Sequence, residues 1–409
     1  MNNNKGIYLD YAATTPVDKN VMKEMIPYFS EKFGNAMSVH NFGQEAQQAI
    51  DTARERVAKF FNCSPSEIIF TSGATESNNL TVKGVVKSFY SVSRKKGEIP
   101  HIVTTVFEHH CVLDACHAMK KEGLAEITFL PVGRDGIVKI ADVKKAIKPN
   151  TILISIMYVN NEIGTVQPIA EIGKLIQKLR SNNQGIHYPL LHTDATQSVN
   201  YFDCNVKKIG VDLLSFSGHK IYGPKGVGVL FAKRGTPIRR IQDGGDQEYK
   251  LRAGTHNVTG IVGLGKAVDM LTASGKQQAI IKKIISLRDY LIKRVLTEIP
   301  AAYLNGSKEK RSPNNANFRF DNVEGEGLIL SLDLEGIATS TGSACSSGAL
   351  EPSHVLLALG LKHEQAHGSL RITIGKYTTK AELDRTVKVL KETVQRLRKI
   401  SGNVLSEFK

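Results

Sequence analysis

Two residues of this sequence can do carbonyl chemistry if the fold brings them together. Lys220 ends the segment Ser217-Gly-His-Lys220, which follows a short apolar run. A buried lysine there has a lowered pKa and condenses with a carbonyl group, whereas a lysine on the surface after a strand does neither. Asp194 lies 26 residues earlier, also after an apolar run. It either forms a structural ion pair or holds the protonated nitrogen of a pyridine ring.

A third segment has the composition of a phosphate site. Thr71-Ser-Gly-Ala-Thr-Glu-Ser77 reads as a strand end, a glycine turn and the start of a helix. Free N–H groups and hydroxyls at such a helix start bind phosphate, although a plain helix cap has the same pattern. His109 also follows an apolar run, and its ring either stacks on a ligand or is an ordinary strand-end histidine.

Two residues nearer the C-terminus complete the set of candidates. Cys345 lies in the segment Thr339–Leu350, in which ten of twelve residues are Ser, Thr, Gly or Ala. That composition predicts an exposed, flexible segment, so the thiol is either a mobile nucleophile or incidental. Arg371 has strand-forming residues on both sides. It either clamps a carboxylate through two hydrogen bonds or forms an ordinary ion pair.

The sequence disfavours three other kinds of site: a metal site, a hydrolase triad and a dinucleotide-binding site. The segment His109–His117 contains histidines and cysteines, but no second cluster completes a metal site, so we predict none. Ser217, His219 and Asp194 invite comparison with a hydrolase triad, but the GxSxG turn is missing. The glycines of Gly223–Gly228 precede a strand instead of following one, which indicates a turn rather than a dinucleotide fingerprint.

The elements that must position these residues alternate between strands and helices. We predict seven strands, at 67–71, 102–106, 127–131, 152–158, 190–193, 213–216 and 227–232, and helices at 44–61, 77–91, 111–122, 141–147 and 169–181. Short β-rich runs separated by helices predict an α/β fold with a mainly parallel seven-stranded sheet covered on both faces. Polar residues gather just after five of the strands, and in such sheets ligands bind beyond the carboxyl ends, so one site is expected there.

The C-terminal part has a different pattern. A single long helix, roughly Ile261–Ile299, is predicted to lead into a smaller α+β domain that ends in a helix at Lys380–Ile400. We predict a large domain at residues 16–264, and a small domain at 1–15 and 265–409 that carries Cys345.

Composition and charge disfavour several classes of protein, but they do not identify the function. The chain has 409 residues, 41% of them hydrophobic, and a net charge of +15. No basic run is interleaved with aromatic residues, so no direct nucleic-acid contact is predicted. Five cysteines without CxxC spacing argue against a disulfide framework. Neither a secretory signal nor an apolar run of membrane-spanning length is visible, so we expect a cytoplasmic protein.

Seven motifs, in matching order along the chain, resemble those of cysteine desulfurases of the NifS/IscS type, in the class-V aminotransferase superfamily. They are Tyr8–Pro16, Thr71–Ser77, Asn160–Gly164, Asp194–Gln197, Ser215–Gly226, Arg252–Thr255 and Gly342–Ser346. The resemblance covers residues 7 to 400 and implies a fold-type I enzyme dependent on pyridoxal 5'-phosphate (PLP). It also implies a homodimer.

The resemblance gives roles to individual residues. Lys220 would carry the cofactor, Asp194 would hold its ring nitrogen, His109 would stack on the ring and Gln197 would reach the ring oxygen. The phosphate would be held by Ala74, Thr75, Ser217 and His219, with Thr255 donated by the other subunit. Asn161 and Arg371 would orient the substrate, L-cysteine, and Cys345 would accept its sulfur.

The implied reaction converts L-cysteine to L-alanine and leaves a persulfide on Cys345, which passes sulfur to an acceptor or iron–sulfur scaffold protein. The alternatives are a selenocysteine lyase, another PLP aminotransferase or β-lyase, or an inactive sulfur carrier. Some positions depart from the family pattern: Ala36 replaces a usual proline, His110 a lysine-like residue, and residues 181–188 lengthen one connection. The tail Ser401–Lys409 differs from the scaffold-docking tail of well-known relatives, so the acceptor is not identified.

Overall fold

The structure, a computed structural model, describes residues 6–92, 97–181, 188–272, 275–342, 352–400 and 402. Its strands are β1 (Ile7–Tyr8), β2 (Ile68–Thr71), β3 (His101–Thr105), β4 (Glu126–Leu130), β5 (Thr151–Ser155), β6 (Leu190–Asp194), β7 (Leu213–Ser217), β8 (Gly228–Ala232), β9 (Ala302–Leu304), β10 (Asn315–Phe320), β11 (Ile337–Ala338) and β12 (Ser369–Thr373).

Fourteen α-helices alternate with these strands within the described residues. They are α1 (Lys19–Met25), α2 (Pro27–Ser30), α3 (Asn41–Phe61), α4 (Ala74–Val92), α5 (His110–Lys121), α6 (Ile140–Ala146), α7 (Ile169–Ser181), α8 (Val206–Ile209), α9 (Val258–Thr272), α10 (Lys276–Glu298), α11 (Gly325–Leu334), α12 (His354–Ala358), α13 (His363–His367) and α14 (Lys380–Ile400).

The largest sheet has seven strands in the order β2-β8-β7-β6-β5-β3-β4. Only β8 runs antiparallel to its neighbours, so the other six strands share one direction. Most of these strands are fully buried, as expected for a sheet with helices on both faces. The predicted α/β fold with a mainly parallel seven-stranded sheet is confirmed, and each predicted strand lies within a few residues of an observed one.

The predicted single helix at 261–299 is wrong. Helix α9 ends at Thr272, and α10 begins at Lys276 after Gly275, whose φ of 82° lies in the left-handed region. Because that conformation is accessible mainly to glycine and cannot continue a helix, the chain changes direction here. The apolar periodicity on both sides of the break conceals it in the sequence.

The smaller sheets lie in the part of the chain that also contains α10, α11 and α14. Strands β12, β10 and β9 form an antiparallel sheet, and β1 pairs with β11 in parallel. Their buried side chains, including Leu9, Phe318 and Leu390, form a core separate from those on the two faces of the large sheet. The division at residues 15/16 and 264/265 stays a prediction, and Ala267, Val268, Val355 and Leu356 of the proposed small domain pack in the core of the large sheet.

Within the described residues, no helix is both long enough and apolar enough to cross a membrane.

Candidate active site

A cavity of about 560 Å³ opens at the carboxyl ends of the parallel strands. Ten of the predicted site residues line it: Ala74, Thr75, His109, Asn161, Asp194, Gln197, Ser217, His219, Lys220 and Arg371. They come from six separate parts of the chain, and their convergence follows from the common direction of the strands. Thr255 is not among the lining residues and is exposed. Cys345 lies outside the described residues.

Lys220 reaches the cavity from the short 3-10 turn Gly218–Lys220, which directly follows β7. Its ammonium group donates hydrogen bonds to the carbonyl oxygens of Ala12 and Ala13, at 2.5 and 2.6 Å. Gln197 Nε2 donates to the same Ala12 oxygen at 3.0 Å. The N-terminal segment therefore forms one wall of the cavity and orients the lysine, a role that sequence reasoning did not assign to it.

Asp194 is the last residue of β6, and its carboxylate accepts hydrogen bonds from two donors. Its Oδ1 accepts from the backbone N–H of Thr196 at 2.9 Å, and its Oδ2 accepts from Asn78 Nδ2 at 2.7 Å. Asn78 is fully buried in helix α4, one turn after Thr75. Two donors hold the carboxylate in a fixed orientation, as a charged partner for a ring nitrogen requires.

The predicted phosphate segment surrounds the start of α4. Gly73, with φ of 155°, makes the turn, and a Cβ on Gly228 of β8 would lie 2.6 Å from Gly73 Cα. The two glycines thus allow the strand and the turn to approach closely. Helix α4 begins at Ala74, so the first N–H groups of the helix have no intrahelical partner. These N–H groups and the Ser217 hydroxyl at the cavity wall fit a phosphate.

His109 and His219 are both held as neutral rings. Burial, together with the nearby positive charges of Lys220 and Lys225, lowers the pKa of His219 to about 4. Burial also lowers the pKa of His109, against the opposing charge of Asp194. Neutral imidazoles suit a site in which one ring packs against an aromatic ligand and the other donates to an anion.

Arg371 of β12 is buried and is anchored at two of its nitrogens. Its Nη2 pairs with Asp10 Oδ1 at 2.7 Å, and its Nη1 donates to the carbonyl oxygen of Asn161 at 2.9 Å. Within the described part of the chain, its buried Nε has no hydrogen-bond partner. The guanidinium group lines the cavity, and its positive charge fits a substrate carboxylate.

The segment that contains Cys345 is bounded on both sides by residues that contact Glu162. Ser353 Oγ donates to Glu162 Oε2 at 2.5 Å, and a Cβ on Gly342 would lie 3.2 Å from the same oxygen. The Glu162 carbonyl accepts hydrogen bonds from Asn315 and Asn317 of β10. Gly342, the last described residue before Cys345, also lines the cavity.

Comparison with known proteins agrees with this geometry. The sequence model of the aminotransferase class-V family matches residues 7–386. A cysteine desulfurase IscS of Dictyoglomus turgidum is 50% identical, over 97% of this chain and 96% of the relative. A second, from Methanosarcina thermophila, is 45% identical over 99% of this chain and 96% of the relative.

Solved structures agree as well. A NifS-like protein is 36% identical, with a TM-score of 0.86 over 96% of this chain and all of the other. The structure of SspA in complex with cysteine is also 36% identical, with a TM-score of 0.76 over 91% of this chain and all of the other. This chain therefore belongs to the class-V aminotransferase family, within its NifS/IscS branch.

Proposed function

We propose that this protein is a cysteine desulfurase that takes sulfur from L-cysteine, releases L-alanine and keeps the sulfur as a persulfide on Cys345. The observation that carries the proposal is the convergence of Lys220, Asp194 and Arg371 on one cavity. Relatives 44–50% identical over nearly the whole chain bear the name cysteine desulfurase IscS. We also propose that the protein forms a homodimer in which Thr255 reaches the partner's cavity.

The residues at the cavity fit PLP as the cofactor. The start of α4, with Ala74 and Thr75, would hold the phosphate, and Asp194 would hold the ring nitrogen. Lys220 would hold the aldehyde carbon. When bound, PLP supplies an electron sink that weakens bonds at the α-carbon of an amino acid.

The protein's own residues would then perform the remaining steps. Arg371 and Asn161 bind the substrate carboxylate and orient the α-carbon toward Lys220, whose amine takes up the α-proton. The Cys345 thiolate attacks the substrate sulfur, so that an S–S bond forms as the C–S bond breaks. The electron pair of the broken bond goes to the β-carbon, which takes up a proton, and Lys220 returns a proton to the α-carbon, so the product is alanine.

The test is to add L-cysteine to the purified, PLP-loaded protein and to measure alanine together with the mass of the peptide that contains Cys345. We expect one alanine per sulfur transferred, and an added mass of one sulfur atom on Cys345. Cys345→Ser should abolish sulfide release, and Lys220→Ala should abolish both products, whereas Cys63→Ser should match the wild type. A keto acid in place of alanine, or full sulfide release by Cys345→Ser, would contradict the proposal.

A further inference from the structure

A buried thiol, Cys111, lies in the cavity wall beside two residues of the proposed cofactor site. It is the second residue of α5, is 9% exposed and lines the cavity. Its Sγ lies 2.9 Å from His109 Nδ1 and 3.0 Å from Asn78 Nδ2. From the sequence, this cysteine appeared only as part of a disfavoured metal-like segment, because its neighbours in space become apparent only in the fold.

The directions of these hydrogen bonds follow from the donors available. The Asn78 amide nitrogen has two N–H groups, and its two neighbours within hydrogen-bond distance are Asp194 Oδ2 and Cys111 Sγ. The opposite orientation would place the amide oxygen against the carboxylate, so the nitrogen must face Asp194. Asn78 therefore donates to both the carboxylate and the sulfur.

The thiol in turn donates to His109. Burial raises the pKa of Cys111 well above its ordinary value, so the sulfur keeps its proton. His109 Nδ1 already accepts the backbone N–H of Cys111 at 3.2 Å, where His109 caps helix α5. A nitrogen that accepts a hydrogen bond carries no proton in the neutral ring, so Nδ1 shares its lone pair between the backbone N–H and the S–H of Cys111.

We propose that Cys111 is a positioning residue that completes a directed hydrogen-bond chain from Asn78, anchored on Asp194, to His109. Together with the backbone N–H of Cys111, the chain holds His109 in the tautomer with its proton on Nε2 and leaves Nδ1 as an acceptor. It also connects the group proposed to hold the ring nitrogen with the group proposed to stack on the ring. The chemical role of the chain rests on the proposed function, but its existence does not.

The test is NMR of full-length protein labelled with ¹⁵N in histidine, with and without PLP. The signal of His109 is assigned through a His109→Asn variant. In the wild type we expect the ¹⁵N shifts of a ring protonated at Nε2. In Cys111→Val, which fills the thiol's space without a side-chain donor, the backbone N–H of residue 111 should still hold the Nε2–H tautomer, but the second donor to Nδ1 is lost. The pKa of His109 should rise by about one pH unit, because a donor to Nδ1 favours the neutral ring.

Two variants separate this effect from a general disturbance. Cys111→Ser keeps a donor and should retain the wild-type tautomer and pKa. Cys116→Ala removes a fully buried thiol from the same helix, away from the cavity, and should leave both unchanged. The other ionisable groups that act on His109 are the same in all variants: Asp194, Lys220, His110 and His354.

The proposal is overturned if the pKa of His109 in Cys111→Val matches that in the wild type, or if the pKa in Cys111→Ser shifts as far as in Cys111→Val. Because the readout is a ring-nitrogen shift and not turnover, it does not depend on the reaction. A protein with the expected tautomer but no alanine production would refute the proposed function and leave the hydrogen-bond chain standing.

Discussion

Arg371 makes two hydrogen bonds within the protein and also lines the cavity, which makes it sensitive to conservative replacement. A lysine has a single charged nitrogen and cannot satisfy Asp10, Asn161 and a substrate carboxylate together. Arg371→Lys should therefore raise KM for L-cysteine by roughly 10-fold to 100-fold, with a smaller effect on kcat.

Steady-state alanine production at varied cysteine concentration measures this effect. Lys376→Arg is a suitable control, because that residue also pairs with an aspartate but lies away from the cavity lining. An unchanged KM in Arg371→Lys would exclude a role of the guanidinium in carboxylate binding.

Most of the polar residues that line the cavity were predictable from the sequence, because they directly follow the apolar runs of the strands. It did not predict Asn78, Cys111 or the carbonyls of Ala12 and Ala13. Asn78 and Cys111 lie on helix faces, where an asparagine or a cysteine is common and no local pattern marks it. Every residue has a backbone carbonyl, so no sequence pattern marks those of Ala12 and Ala13. Only the path of the N-terminal segment brings these two carbonyl groups to Lys220.

At the scale of elements, a buried ion pair fixes the segment before Thr255. Glu248 accepts hydrogen bonds from both terminal nitrogens of Arg54, from His256 and from the backbone N–H of Phe70. Residues 248, 249 and 250 all have positive φ, an unfavourable conformation for residues other than glycine. The ion pair therefore holds a strained turn against β2, four residues from Arg252, which itself pairs with Glu76 of α4.

We predict that Glu248→Gln destabilises the protein by about 3 kcal/mol at pH 7, because it leaves a buried guanidinium without its counter-charge. Burial alone would raise the pKa of Glu248, but the hydrogen bonds from Arg54 and His256 outweigh it and lower the pKa to about 2. A depressed carboxyl pKa stabilises the folded state above the unfolded pKa, and this stabilisation is lost as pH falls toward 2.

Urea denaturation of wild type and Glu248→Gln at pH 7, 5 and 4 measures the effect. The difference in free energy of unfolding should persist from pH 7 to 5 and begin to narrow at pH 4. Glu335→Gln, at an exposed position, is the control. A difference that grows as pH falls would contradict this assignment of the charge.

Most elements of the large sheet were predictable because short β-rich runs between helices are a strong signal. The break between α9 and α10 was not, because a single glycine separates two apolar patterns of the same period. The short strands β1, β9 and β11 have two or three residues each and depend on partners distant in sequence. No window of local sequence contains that information.

At the scale of the whole molecule, the N-terminal region has an unusual concentration of exposed apolar side chains. Seven large ones lie between residues 22 and 42: Met22, Ile26, Phe29, Phe33, Met37, Val39 and Phe42, each at least 52% exposed. The rings of Phe33 and Phe42 are 5.7 Å apart, so part of the surface is continuous. A patch of this kind on a folded chain indicates an interface.

We predict that a second copy of the chain covers this patch, in keeping with the proposed homodimer. The double variant Phe29→Asp/Phe33→Asp should shift the mass measured by analytical ultracentrifugation from dimer toward monomer, and should also weaken PLP binding if Thr255 crosses the interface. Tyr303→Asp and Leu334→Asp, each at an exposed site elsewhere, should leave the dimer intact. A double variant that stays dimeric would place the interface on another face.

The cavity joins the two ends of the chain: Asp10 pairs with Arg371, 361 positions later. During synthesis, residues 10–14 of the cavity wall are made early. Arg371, the partner of Asp10, is added only after most of the polypeptide has been made. A ribosome-bound chain that ends before β12 lacks Arg371, which anchors this cavity wall, even when the large sheet has already folded. We therefore predict that the proposed cofactor binds late in folding, so that the colour of bound PLP reports when folding is complete.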